Sequence, residues 1–137
     1  MSSPATKLAE ISARAFKESA YHLRHASNWL IRLGDGTDES HRRVQDAIDS
    51  LWTYTGELFA NDGVDEMMQA EWEAPDLQVL REQWHGQIDG LLARATLRKP
   101  EDGWMDSGGK QGHHSEHLGY ILAEMQSLQR TYPGANW

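Results

Sequence analysis

The residues of this chain best suited to chemistry are histidines and carboxylates near its C-terminal end. His113 and His114 follow a glycine-rich segment that begins at Gly108, and His117 and Glu124 lie seven residues apart on the helix predicted to follow. Imidazole and carboxylate groups are ligands that iron accepts in proteins. On a helical wheel, His117 and Glu124 sit roughly 80–95° from the centre of the apolar stripe, so they border the predicted core. Helix capping or contact with another subunit is therefore the favoured interpretation.

A second group of possible ligands lies on the first predicted helix. Glu18 and His22 are four residues apart and His25 follows three residues later, so all three share one side of a helix. One hypothesis is a metal site formed by these residues, completed across a homodimer. The alternative is a buried, hydrogen-bonded His22 between two boundary polar groups, which the sequence favours because buried polar groups normally find protein partners.

The spacing that a carboxylate-bridged di-iron centre needs is missing. Such a centre takes two Glu-x-x-His pairs and two further glutamates from the helices of a bundle. Tyr21 occupies the third position after Glu18. Ser127 occupies the third position after Glu124. We therefore expect no catalytic residue and no cofactor in this chain.

Composition excludes several other classes of protein. The chain has 137 residues, enough for one domain, with a formal charge of −8 and no cysteine. Disulfides, zinc–thiolate sites and thiol catalysis are therefore excluded. A negative surface repels phosphate, so we expect no nucleic-acid partner. The N-terminus lacks the apolar run of a signal peptide and no apolar stretch could cross a membrane, so we expect a cytoplasmic protein without membrane partners.

Apolar residues recur with a period near 3.6 and no segment alternates as a strand does, so we predict an all-α fold. The predicted single helical domain covers residues 1–137, with helices at about 6–33, 38–59, 77–97 and 115–131. The core stripe of the first helix is predicted to be Leu8, Ile11, Ala15, Ser19, Ala26, Trp29, Leu30 and Leu33. Gly86 and Gly90 are poor helix formers in the third helix, so we expect another backbone to approach them closely.

Several sequence blocks resemble one protein family. They read Lys17-Glu-Ser-Ala-Tyr-His-Leu-Arg24, Arg32-Leu-Gly-Asp-Gly-Thr-Asp38, Leu51-Trp-Thr-Tyr-Thr-Gly-Glu-Leu-Phe59, and a C-terminal block from Gly108 to Arg130. The chain resembles the second half of the C subunits of the ring-1,2-phenylacetyl-CoA epoxidase, a multicomponent bacterial oxygenase. The resemblance implies an antiparallel, ferritin-like helical bundle that acts as a structural, non-catalytic subunit. It also implies that a homologous A subunit carries the di-iron centre, binds phenylacetyl-CoA and inserts one oxygen atom from O2 into the ring.

The length of the chain departs from this resemblance. The family is longer, and its N-terminal half supplies the first two helices of the bundle, so we expect those two helices to be missing here. Apolar stripes without their usual cover favour association. The expected partners are the di-iron A subunit or a second copy of the chain. The residues expected to contact a partner are Lys110, His113, His114, His117 and Trp137. A stand-alone helical interaction module is the remaining alternative.

Overall fold

The computed structural model describes residues 6–136 and is helical, with no strand in that range. Its α-helices are α1 (Thr6–Gly34), α2 (Asp38–Leu51), α3 (Gly63–Trp72), α4 (Leu77–Arg94), α5 (Glu116–Met125) and α6 (Ser127–Thr131). Single turns of 3-10 helix cover Trp52–Tyr54, Gly56–Phe59 and Gly109–Gln111. Within the described part of the chain, no helix combines the length and apolar character needed to span a membrane.

The helix that begins at Asp38 ends at Leu51 instead of near Phe59, because its continuation bonds to a distant loop. The Thr53 hydroxyl donates to the Trp104 carbonyl at 3.0 Å, and the Asp106 amide donates to the Thr53 carbonyl at 2.9 Å. The second bond occupies the Thr53 carbonyl, which a longer α-helix would use, so the chain continues as 3-10 turns.

The predicted last helix, 115–131, is divided into α5 and α6 at Gln126. The Ser127 hydroxyl donates to the Glu124 carbonyl at 2.9 Å. Side-chain to backbone bonds of this kind compete with a continuous helical ladder.

The chain groups into two compact units, which meet in the sequence between Asp106 and Ser107. The first unit contains α1 to α4 and the second contains α5 and α6. That the whole chain forms a single helical domain stays a prediction.

A capping box turns the chain from α1 into α2. The Ser40 amide donates to the Thr37 hydroxyl at 3.2 Å, and the Thr37 amide donates to the Ser40 hydroxyl at 3.0 Å. The Ser40 hydroxyl also donates to the Leu33 carbonyl at 2.7 Å, which ties the start of α2 to the end of α1. This pattern satisfies amides that a helix start leaves without partners, and the short link makes α1 and α2 antiparallel neighbours.

The buried core of the first unit forms where α4 ends. Leu92, Ala95 and Leu97 are buried together, and Leu30, Ile31, Val44, Ile48 and Ile88 pack on them. The Thr96 hydroxyl donates to the Gly34 carbonyl at 3.1 Å, so the last turn of α1 lies directly against this core. A methyl group on Gly34 would lie 2.3 Å from the Ala95 carbonyl oxygen, so only glycine fits at this position.

The packed face of α1 differs from the predicted one. Ser27, Leu30, Ile31 and Gly34 are the residues of its last turns that become buried or half-buried. Most of the predicted stripe is exposed, including Ile11 at 56% and Trp29 at 49%. The packed face is turned by about 100° from the predicted stripe, because the core contacts α1 only through its C-terminal turns.

Candidate docking surface

An apolar groove opens on the first unit between α1, α2 and α4. Its volume is about 360 Å³, and it is lined by Leu30, Val44, Ala47, Ile48, Leu51, Trp52, Thr55, Ile88 and Leu92. Among these described lining residues, only Thr55 and the Trp52 indole carry polar side-chain groups, and both have partners within the chain. The groove therefore suits an apolar helix face and offers little to a polar small molecule.

Trp52 forms the end of the groove and is buried, at 7% exposure. Its indole N–H donates to the Asp102 carboxylate at 3.0 Å, and its ring lies 5.6 Å from the Trp84 ring. The Lys99 ammonium lies 5.9 Å from the centre of the Trp52 ring. Both the ring and the N–H of Trp52 therefore contact neighbours, which fixes the orientation of this large side chain beside the groove.

The segment that follows α4 is held to α2 by polar contacts. The Arg98 amide donates to the Gln45 side-chain oxygen at 2.9 Å, and the Gln45 amide group donates to the Arg98 carbonyl at 3.0 Å. Arg98 also pairs with Asp49 at 2.9 Å, and Lys99 pairs with Asp89 at 2.8 Å. Exposed ion pairs contribute little energy, so the paired Gln45–Arg98 bonds and the buried Trp52 contacts fix this segment.

A second groove, of about 390 Å³, lies between α1 and α4 beside Gly86 and Gly90. A methyl group at either glycine would have no neighbour within 4 Å in the described part of the chain. The close backbone approach expected from the sequence therefore does not come from residues 6–136.

We predict that Gly90→Ala stabilises the isolated chain. Alanine is favoured over glycine inside a helix by roughly 0.5–1 kcal/mol, and the added methyl group has open space. Urea unfolding followed by circular dichroism measures the change. A lower free energy of unfolding than the unchanged chain would show that the space beside Gly90 is occupied.

The possible ligands on α1 are all on its exposed surface. Glu18, His22 and His25 are exposed, and the His25 ring stacks on Tyr21 with 6.1 Å between ring centres. No set of three or more histidine, aspartate or glutamate side chains within residues 6–136 is arranged to hold a metal ion. The predicted burial of His22 is wrong, because the core contacts α1 only beyond this residue.

A metal site formed by Glu18, His22 and His25 stays a hypothesis. Elemental analysis of the purified chain tests it, and less than one bound metal ion per two chains would reject it.

The histidine-rich segment belongs to the second unit. Gly108 and Gly112 adopt left-handed backbone conformations, with φ of 100° and 90°, which shape the turn before His113. The His113 amide donates to the Gly108 carbonyl at 2.9 Å, and a methyl group on Gly108 would touch the His113 ring at 3.0 Å. Glycine is therefore required at Gly108 both for its φ and for space.

The predicted partner-contacting residues of this segment are accessible. Lys110, His113, His114 and His117 are exposed, and the His117 ring lies 6.4 Å from the Tyr120 ring. Trp137 lies outside the described residues. Their contact with a partner stays a prediction. The sequence pattern missed the exposed apolar side chains beside them, which include Tyr120 at 65% and Met125 at 69%.

The described helices make this an all-α protein, and the family that the chain matches is ferritin-like. The chain belongs to the family described as "Phenylacetic acid catabolic protein", whose profile matches residues 1–137. It is 47% identical over 137 residues to a curated protein of Escherichia coli (strain K12), the C subunit of 1,2-phenylacetyl-CoA epoxidase. The alignment covers all of this chain and 55% of that relative, so the chain spans about half the length of the curated protein it matches.

Proposed function

We propose that this chain serves as a structural, non-catalytic subunit of a phenylacetyl-CoA 1,2-epoxidase in phenylacetate catabolism. The observation that carries the proposal is the 47% identity to the C subunit of such an epoxidase over every residue of the chain. Membership of the phenylacetic acid catabolic family supports it. The open apolar groove supports a role in assembly.

In this proposal, the catalytic chemistry belongs to a homologous A subunit. That partner holds the di-iron centre, binds phenylacetyl-CoA and inserts one oxygen atom from O2. This chain contributes no metal ligand and no cofactor; its contribution is to hold the A subunit in a working assembly. The spacing after Glu18 and Glu124, which lacks both Glu-x-x-His pairs, supports this division of roles.

The groove gives the proposal a physical basis. Leu51 lines it and is 62% exposed, so the groove offers apolar surface that water now contacts. Covering such surface is worth roughly 25 cal/mol for each Å² removed from water. A partner helix with an apolar face would supply that cover, as in helix-in-groove recognition.

We predict that Leu51→Asp weakens binding to the A subunit at least about tenfold, since it places a charge in an apolar interface. Leu58→Asp is the matched control, because Leu58 is 59% exposed and does not line the groove. Both leucines are exposed, so neither change should unfold the chain. Affinity for the purified A subunit is measured by titration calorimetry. Equal affinities for the two variants would reject the groove as the docking surface.

A further inference from the structure

A large aromatic side chain is exposed on the loop between α4 and α5. Trp104 is 77% exposed, more than any other large hydrophobic side chain in residues 6–136. We call residues 102–106 the tryptophan loop; they belong to the first unit. Single exposed apolar side chains are common on protein surfaces. Trp104 differs from them because the backbone that carries it is fixed.

Hydrogen bonds to the first 3-10 turn after α2 hold the tryptophan loop on both sides of Trp104. Before it, the Asp102 carboxylate accepts from the Trp52 indole N–H at 3.0 Å. The Trp104 carbonyl itself accepts from the Thr53 hydroxyl at 3.0 Å. After it, the Asp106 amide donates to the Thr53 carbonyl at 2.9 Å.

The residue that follows Trp104 packs inward. Met105 is half-buried, and a Cβ added to Gly56 would lie 3.0 Å from its Cγ atom. The tryptophan loop therefore buries one large side chain and leaves the neighbouring one in water. A loop that is fixed before binding loses little conformational entropy when a partner covers it, so Trp104 is ready to bind.

The two tryptophans of this region differ in their polar contacts. The Trp52 N–H has its acceptor in Asp102, whereas no residue of the described range 6–136 accepts from the Trp104 indole N–H. A partner that covers Trp104 must therefore supply an acceptor as well as apolar surface, since a buried N–H without a partner is costly.

The surface around Trp104 is continuous with the end of the apolar groove. Thr55 lines the groove, and it also lines a small pocket together with Asp102 and Met105, which lie on either side of Trp104 in the sequence. A partner helix in the groove would therefore bring the rest of its subunit close to the tryptophan loop.

We propose that Trp104 anchors this chain to the A subunit, by insertion into an apolar pocket of that partner that also holds a hydrogen-bond acceptor. The inference rests on the proposed function, because it takes the occupant of the groove to be the A subunit. Tryptophan is enriched among the few residues that carry most of the binding energy of an interface. The groove then supplies apolar area, and Trp104 supplies a directed contact at its end.

The affinity of three variants for the purified A subunit, measured by titration calorimetry, tests the anchor. Trp104→Ala should weaken binding at least about thirtyfold, which corresponds to the loss that defines a hot-spot side chain. Trp104→Phe keeps a ring without the N–H, so its affinity should fall between those of the unchanged chain and the alanine variant. The control is Phe16→Ala, which removes another exposed aromatic side chain, at 75%, from the first half of α1 and should leave the affinity unchanged. Circular dichroism checks that each variant is folded.

A labelling experiment locates the contact while Trp104 stays in place. The chain has no cysteine, so Gly103→Cys provides a single thiol beside Trp104, and an added Cβ there has no neighbour within 4 Å in the described residues. With the A subunit at saturating concentration, a maleimide should label this thiol at least about tenfold more slowly, because the partner covers it. Phe16→Cys is the matched control, and its labelling rate should not change.

The possible results separate this inference from the proposed function. If the unchanged chain binds the A subunit, equal affinity of the Trp104→Ala variant or an unprotected Gly103→Cys thiol would overturn the anchor and leave the subunit role intact. An unchanged chain that does not bind the A subunit would overturn both. Protection of the Gly103→Cys thiol only by higher concentrations of the chain itself would assign Trp104 to a contact between copies, and would also overturn the proposal.

Discussion

Trp52→Ala is expected to lower the free energy of unfolding by about 3–5 kcal/mol, the range for removing a buried aromatic side chain. Trp52 is 7% exposed, and its ring lies 5.6 Å from the Trp84 ring, where the end of α2, helix α4 and the segment after α4 meet. Its removal leaves a cavity at the end of the groove and takes the indole donor from Asp102. Chemical denaturation followed by circular dichroism measures the loss.

Trp52→Phe separates the two contributions of this side chain. Phenylalanine keeps an aromatic ring in the cavity and removes the N–H that Asp102 accepts. We expect a smaller loss than for alanine, of about 1–3 kcal/mol from the hydrogen bond and the smaller ring together. A loss below about 1 kcal/mol for Trp52→Ala would contradict the position of Trp52 in the core.

Gly34→Ala is expected to destabilise the first unit by about 2–3 kcal/mol, through overpacking. The added methyl group would lie 2.3 Å from the Ala95 carbonyl oxygen and 3.0 Å from a Leu97 methyl group, so α1 would have to move off the core. That movement would also disturb the Gly34 carbonyl, which accepts from Thr96 at 3.1 Å and contacts the His41 ring at 2.7 Å.

The matched control for this change is Gly90→Ala, the same substitution in a helix with open space around it. The two variants should move the free energy of unfolding in opposite directions, and denaturant titration of both under one condition gives the comparison. Equal changes in the free energy of unfolding would show that the difference in helix propensity between glycine and alanine alone governs both positions. The end of α1 would then not pack against Ala95.

Local signals made several helix starts predictable. Helix α2 begins at Asp38 after the Thr37 cap, and α4 begins at Leu77 after the Asp76 cap. Both caps are visible in the sequence, since serine, threonine and aspartate accept bonds from the first amides of a helix. Gly34 likewise ends α1, where the prediction placed its end.

The packed face of α1 and the end of α2 were not predictable in this way. Apolar and small residues occur on two sides of α1, and periodicity alone does not decide which side meets the core. The end of α2 depends on Thr53, whose partners Trp104 and Asp106 lie about 50 residues away in the sequence. Contacts between distant segments override local propensity at both places.

The candidate docking surface was predictable only in part. Val44, Ile48 and Leu51 recur at helical spacing within the predicted helix at 38–59, and the structure places all three along the groove. Whether this apolar stripe stays uncovered depends on which other helices pack beside it. The residue pattern of a single helix does not contain that information. The same reason explains why Glu18, His22 and His25 share a helix face as predicted but lie on the exposed side.

Assembly with a catalytic partner is the central claim, and co-expression with the A subunit of the same source tests it most directly. The two chains are purified through a tag on the A subunit and then separated by size exclusion at micromolar concentration. We expect one peak that contains both chains in a fixed ratio, with the Leu51→Asp variant lost from it and the Leu58→Asp variant retained. Separate elution of the unchanged chain and the A subunit would contradict the account.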